Sequence, residues 1–427
     1  LAPAELPKSG GRFDLPIALA ILVASEQLAA SAVANREFFG ELGLDGSLRH
    51  CRGLLAAVHA ATLGRHAVIV PGEQAEKMAM VPASQVTGAS DLLSVCGLLK
   101  SKRLGIVTVK ANPSSTLQHT ETPQITGQEV AKRALEIAAA GGHHLLMIGP
   151  PGAGKTLLAA SLPPLLEALS PSDELELSLI RDLLGLEPSV ERPFRAPHHS
   201  TTAAGLVGGG ANATPGEVSL AHGGVLFLDE LAEFRSQVLD LLRQPLESGR
   251  ISLSRAKGTY HYPARFQLVA AMNPCPCGFA GIENENCRCK PDAVDRYQGR
   301  ISGPLLDRID LHVRLERQPA AKLLYCDGAK PDVTGHMSTL NLARKRQHKR
   351  QKCLNADLSN AQLLQICPME SPVRRWFEEA CDRLRLSGRG IHKTLRIART
   401  VADLAQESSL SEVVLLEAIG YRSRLQS

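Results

Sequence analysis

Apolar and polar residues alternate along this 427-residue chain in three successive rhythms. In residues 1–110 short apolar segments are broken by turns: "FDLPIALAILVASEQL" reads as a helix, "REFFGELGLDGSL" as strands about a glycine turn, and "HAVIVP" as a buried strand. One α/β domain is predicted there. Residues 111–121, "ANPSSTLQHTE", are polar with Pro and Ser and predict a linker. From 122 to 318 strand patterns ("HHLLMIGP", "GGVLFLDE", "FQLVAAMNP") alternate with helical ones ("GQEVAKRALEIAAA", "RSQVLDLLRQPLES"). Such alternation predicts a parallel sheet flanked by helices, because parallel strands need crossover connections. From 319 to 427 the period is helical throughout, which predicts an all-α domain. The chain begins at Leu1 in mid-pattern, so an N-terminal piece is expected to precede it.

Composition narrows the picture little. A hydrophobic content of 44% suits sizeable cores. No apolar run reaches the roughly 18 residues of a membrane span, and no secretory leader pattern is present, so a cytoplasmic location is expected. Six of the ten cysteines (Cys51, Cys96, Cys326, Cys353, Cys367, Cys381) are scattered without pairing logic and read as reduced thiols. The net charge of +5 is too mild to imply nucleic acid by itself.

The chemistry is concentrated at strand ends. "LLMIGPPGAGKTLLAA" carries Gly149, Pro150, Pro151, Gly152, Ala153, Gly154, Lys155 and Thr156 between an apolar strand and a helix. This is the phosphate-binding loop pattern: backbone N–H groups close round phosphates, Lys155 reaches the β/γ-phosphates of ATP, and the Thr156 hydroxyl holds Mg²⁺. "GGVLFLDE" ends in Asp229, suited to the Mg²⁺ shell, and Glu230, suited to polarising the attacking water. "FQLVAAMNP" ends in Asn273, whose amide can orient that water.

Together these segments resemble the AAA+ ATPases, and within them the Mg-chelatase-like branch. The resemblance implies an α/β AAA+ P-loop NTPase core with an all-α C-terminal lid. "SGPLLDRIDLHV" is similar to the branch's arginine-finger segment, which makes Arg308 the candidate finger, with Arg300 the alternative. "SGRGIHKTLRIARTVADL" is similar to its lid helix, which makes Arg389 the candidate second sensor. An arginine supplied across an interface contributes about 10³ to 10⁵ in rate, so ring assembly is implied.

Over nearly its whole length the chain is most similar to the competence-associated ComM (YifB) family. That likeness implies a hexameric helicase on single-stranded or branched DNA, driving branch migration in homologous recombination during natural transformation. The N-terminal region resembles the Lon protease domain. Arg12 stands at the position of its nucleophilic Ser and Leu55 at that of its Lys, so peptidase activity is not expected and the domain is read as a scaffold or protein-interaction platform.

"SGRISLSRAKGTYHYPARF" reads as a hairpin with Arg255 and Lys257 near its tip, placed to track a phosphate backbone in a ring pore; the Gly-rich 198–210 would be a second mobile loop there. "ARKRQHKRQK" (343–352) is a further cationic helix face open to nucleic acid. Aromatics are only 4% of the chain, so a DNA grip must lean on phosphates rather than stacked bases. Cys275, Cys277, Cys287 and Cys289 are spaced to close a Cys₄ zinc site with no open position, a staple rather than a reaction centre. Two rival readings share the ATPase motifs: a magnesium-chelatase motor subunit, and an ATP-switched remodelling module without unwinding.

Overall fold

Residues 11–78, 80–101, 127–210, 213–255, 258–282, 286–319 and 333–422 are described in the computed structural model. The expected linker at 111–121 and the tip residue Lys257 lie outside them. The chain divides into two units, one of Leu1–Gln118 with Leu169–Glu191, the other of His119–Ala168 with Arg192–Ser427.

In the first unit β1 (Arg36–Phe38), β2 (Ala67–Pro71) and β3 (Val86–Ala89) form a parallel sheet with β2 central. Strand β2 is the predicted "HAVIVP" segment, and its run of Val68, Ile69 and Val70 is apolar because both faces are covered. Val68 and Val70 pack with Leu54, Leu55 and Val58 of helix Leu54–Leu63, while Ile69 packs with Leu15 and Leu19 of helix Asp14–Ala24. Leu55 is thus a fully buried core residue.

The expected core of 122–318 is interrupted. Residues 169–191 belong to the first unit, because helix Pro171–Leu183 packs Leu175 and Leu179 into the cluster around Leu54. The Leu55 N–H donates to Asp182 Oδ2 at 2.8 Å, which satisfies an orphan amide in the first turn of helix Leu54–Leu63.

The second unit is built on β4 (Leu145–Ile148), β5 (Phe194–Arg195), β6 (Val225–Leu228), β9 (Gln267–Met272) and β10 (Leu311–Arg314). Between β6 and β9 run β7 (Arg250–Arg255) and β8 (Gly258–Pro263), the predicted hairpin, paired antiparallel with Arg255 opposite Gly258. The five-stranded sheet is parallel throughout in the order β10–β4–β9–β6–β5. Met272 pairs with Ile148 and Ala270 with Leu228, so β4, β9 and β6 finish side by side at one edge. Open parallel sheets bind ligands just beyond that carboxyl edge. Helix Glu129–Gly141 lies in the main core with Ala131, Ala134 and Ala138 buried, small side chains that permit close approach.

Helices Val333–Gln351, Asn360–Ile366, Ser371–Arg383, Gly388–Leu404 and Glu412–Gly420 complete this unit, and no strand occurs among the described residues beyond 333. The basic run 343–352 is not the uniform cationic face expected from its charge. Arg344 is buried and donates to the carbonyl of Ala139 at 2.7 Å. Arg350 makes a bidentate pair with buried Asp403, both contacts at 2.8 Å. Those two cations hold the fold together, and Lys345, Lys349 and Lys352 remain outward.

Candidate nucleotide site

The residues after β4 form a loop whose backbone only glycine accepts readily. Gly152 and Gly154 have φ of 77° and 85°, the left-handed region that penalises a Cβ. At Gly149 the constraint is space, since a Cβ would come within 2.8 Å of the Leu315 carbonyl oxygen. The loop runs into helix Lys155–Ala160, whose first-turn N–H groups have no earlier carbonyl within the helix to meet and so suit an anion.

Four expected side chains converge here, in two pairs. The Lys155 ammonium donates to the carbonyls of Gly149 at 2.7 Å and Pro150 at 3.0 Å, and to Asn273 Oδ1 at 2.8 Å. Burial draws its pKa below the ordinary lysine value, against the pull of Asp229 and Glu230. The Thr156 hydroxyl donates to Asp229 Oδ2 at 3.0 Å, so a hydroxyl and a carboxylate meet at one point beside the loop. Asp229 Oδ1 accepts the Glu230 N–H at 2.9 Å. A cation with oxygen ligands and a polyphosphate fit this donor set, with Lys155 exchanging its carbonyl partners for phosphate oxygens.

Two participants escaped the sequence reading. Glu230 itself has φ 51°, unusual for a residue with a Cβ, and its Oε2 lies 3.0 Å from His199 Nδ1. The His199 ring lies against His198, tilted at 34° with centroids 4.0 Å apart, and meets Phe234 edge-on at 6.5 Å. Gln128 donates to the carbonyls of Ala153 at 3.1 Å and Glu316 at 2.7 Å, bracing the phosphate loop against the chain beyond β10. "HHST" and "GQ" carry no periodic signal, so only the polarity of His199 and Gln128 next to glycines or turns marked them.

Comparison with known proteins identifies the family. Residues 121–323 match the family "Magnesium chelatase, subunit ChlI", residues 337–422 its C-terminal part, and residues 1–74 "Subunit ChlI of Mg-chelatase". The chain is 44% identical to the uncharacterized protein YifB of Escherichia coli over 99% of its own length and 84% of that protein's. It is 42% identical to competence protein ComM of Haemophilus influenzae over 100% of its length and 85% of that protein's. The chain belongs to the magnesium-chelatase-like ComM family. By contrast, the magnesium-chelatase 38 kDa subunit of Cereibacter sphaeroides is 27% identical over only 40% of this chain. Membership of the ComM family supports ATPase activity of the AAA+ kind.

The remaining expected site residues of this ComM-family chain lie apart from the loop. Arg308 follows helix Gly303–Leu306; its side chain is 11% exposed, donates to the Pro304 carbonyl at 2.6 Å and forms an ion pair with Glu247. Arg300 stands over the Tyr297 ring at 5.7 Å, paired with Glu233 at 3.1 Å. Arg389 is exposed on the first turn of helix Gly388–Leu404 and makes no hydrogen bond or ion pair among the described residues. Lys393, one turn on, is mostly covered and donates to Asp310 Oδ1 at 2.5 Å and to the Arg308 carbonyl at 2.7 Å, tying that helix to the Arg308 backbone.

At the hairpin tip Arg255 donates to the Gly210 carbonyl at 3.1 Å. The Gly-rich segment expected as a separate mobile loop is ordered around it: Thr202 caps helix Ala203–Val207, and Gly208–Gly209 pairs with Thr214–Pro215. Tyr260 on β8 is 38% exposed, one aromatic surface beside the basic tip. The four cysteines come together just beyond Asn273. Among the described residues no helix is long and apolar enough to cross a membrane.

Proposed function

We propose that this chain is an ATP-driven DNA motor that promotes branch migration in homologous recombination of incoming DNA, acting as a cytoplasmic ring of six subunits. The observation that carries the reading is where the hairpin leaves the sheet. Strands β7 and β8 are inserted between β6, which Asp229 and Glu230 follow, and β9, which Asn273 follows. A shift at either strand end on hydrolysis therefore moves a tip that carries Arg255, a group suited to a phosphate backbone. The similarity to the competence protein ComM of Haemophilus influenzae supports the same direction.

In this reading the amides after Gly152 and the Lys155 ammonium hold the ATP phosphates, and Thr156 with Asp229 holds Mg²⁺. The metal, when bound, neutralises charge on the phosphate oxygens. Glu230 accepts the proton of the attacking water and Asn273 orients it. Arg308 leaves Glu247 to reach the ATP of the neighbouring subunit, and Arg389 answers to nucleotide from the lid. The first unit, Lon-like in this reading, serves as a platform for recombination proteins, since Arg12 and Leu55 offer neither nucleophile nor base.

The test is a labelled forked or four-way DNA junction with Mg-ATP, run with Lys155→Ala and Arg308→Ala. Junction movement lost in both variants supports the motor. Rings that hydrolyse ATP yet neither bind nor move DNA would leave the chelatase-motor reading, which the matched family description favours, or a switch without unwinding.

A further inference from the structure

The sulfurs of Cys275, Cys277, Cys287 and Cys289 all lie within 4.8 Å of one another. The closest separations are 3.3 Å for Cys275 and Cys277, 3.7 Å for Cys275 and Cys287, and 3.6 Å for Cys277 and Cys287. Four thiolates about 2.3 Å from a central zinc sit about 3.8 Å apart along a tetrahedron's edges. The observed spacing is that of a ligand shell, and well beyond the roughly 2.05 Å of a disulfide.

The turn that aims the first pair is built for this. The Gly278 N–H donates to the Cys275 carbonyl at 2.9 Å, with Gly278 at φ 90°, and the Ala280 N–H donates to Cys275 Sγ at 3.3 Å. An amide aimed at a fully buried sulfur is the kind of outer-shell contact that orients a metal-ligating cysteine.

The same turn touches the nucleotide site. A Cβ at Gly278 would lie 2.6 Å from Pro151 Cδ, so the cysteine turn rests directly on the phosphate loop. Gln298, in helix Pro291–Gln298 just after Cys289, donates to the Pro274 carbonyl at 2.9 Å. Asn273, the partner of Lys155, is the residue before Pro274.

We propose that the four cysteines bind a structural zinc ion, and that this closed site holds Asn273 and Pro151 in register with the phosphate loop. Binding zinc, the thiols lose their protons to solvent and no redox change occurs. The coupling to the loop rests on the nucleotide reading of that loop; the metal site does not.

Full-length protein purified without chelators should carry about one zinc per chain by elemental analysis. Cys277→Ser with Cys289→Ser should lose it, while Cys381→Ser, buried elsewhere, should keep it. Cobalt exchanged into the site should show the visible bands of a tetrahedral tetrathiolate. No bound metal, metal retained in the double variant, or iron with acid-labile sulfide overturns the zinc site. For the coupling, the zinc-free double variant should bind a fluorescent ATP analogue about tenfold or more weakly than Cys381→Ser, which keeps the metal. Unchanged affinity overturns the coupling alone. Zinc-loaded wild-type protein that binds no nucleotide would instead sink the ATP reading and leave the metal site standing.

Discussion

Asp310 and Lys393 give the sharpest test of how the core is held. Their side chains are 8% and 15% exposed, with the ammonium 2.5 Å from Oδ1. The His144 N–H donates to the other carboxylate oxygen at 2.9 Å. Burial alone would push the Asp310 carboxyl up; the Lys393 ammonium overrides it and holds the group well below the usual carboxylate range. At an effective dielectric of about 20 the pair attracts by about 7 kcal/mol, most of it offset by the cost of taking both charges out of water. Removing one partner leaves the other charge buried, so Asp310→Asn or Lys393→Met should each cost about 3–5 kcal/mol, while the double variant recovers about 2 kcal/mol or more.

A chain of two units need not unfold in one step, so the measurement is amide exchange protection across helix Gly388–Leu404. Because Lys393 also holds the Arg308 carbonyl, Lys393→Met should lower ATP turnover in assembled rings more than it lowers nucleotide affinity. Costs that add within about 0.5 kcal/mol would show that the charges do not interact, and the reasoning fails.

Burial pushes His143, His144 and His312 down to about 4 from an ordinary 6.5. They stay neutral in the folded chain while the unfolded chain takes up protons, so stability is complete above pH 6.5 and is lost as pH falls towards 4. Each contributes up to about 1.4 kcal/mol per pH unit, and a urea midpoint that stays level between pH 7 and about 5 would contradict this. His199→Ala frees the Glu230 carboxylate from the side chain that tethers it at 3.0 Å. DNA-independent ATP turnover should rise by about tenfold, the worth of one charge-assisted hydrogen bond, and a fall in turnover would mean that His199 positions Glu230 for catalysis instead. Arg255→Ala should reduce the slope of log affinity for single-stranded DNA against log salt by about 1, uniformly across sequences. An unchanged slope would remove Arg255 from the DNA path.

What the sequence revealed follows from what fixes each group. Lys155, Thr156, Asp229 and Asn273 each sit within a few residues of an apolar strand, and a parallel register brings strand ends together whatever their distance along the chain. Their convergence was therefore readable from local pattern alone. His199 follows β5, a strand of two residues, too short to show a period, so nothing local placed it against Glu230. The helix Pro171–Leu183 has a clear amphipathic pattern, but a pattern names a buried face and not its partner, and its partner proved to be helix Leu54–Leu63. The same limit misdirected the basic run. Charge counts treat Arg344 and Arg350 like Lys345 and Lys349, whereas the helix turns the two arginines onto a carbonyl and a buried carboxylate. A planar guanidinium can satisfy several buried acceptors at once and an ammonium less readily, so arginines inside a basic helix are the first to be spent on the fold. By that logic Arg308, largely covered and paired with Glu247 in the single chain, must exchange one carboxylate for another anion to act between subunits. Glu247→Gln should therefore raise the turnover of assembled rings at low subunit concentration. A lowered turnover would mean that Glu247 orients the finger rather than restrains it.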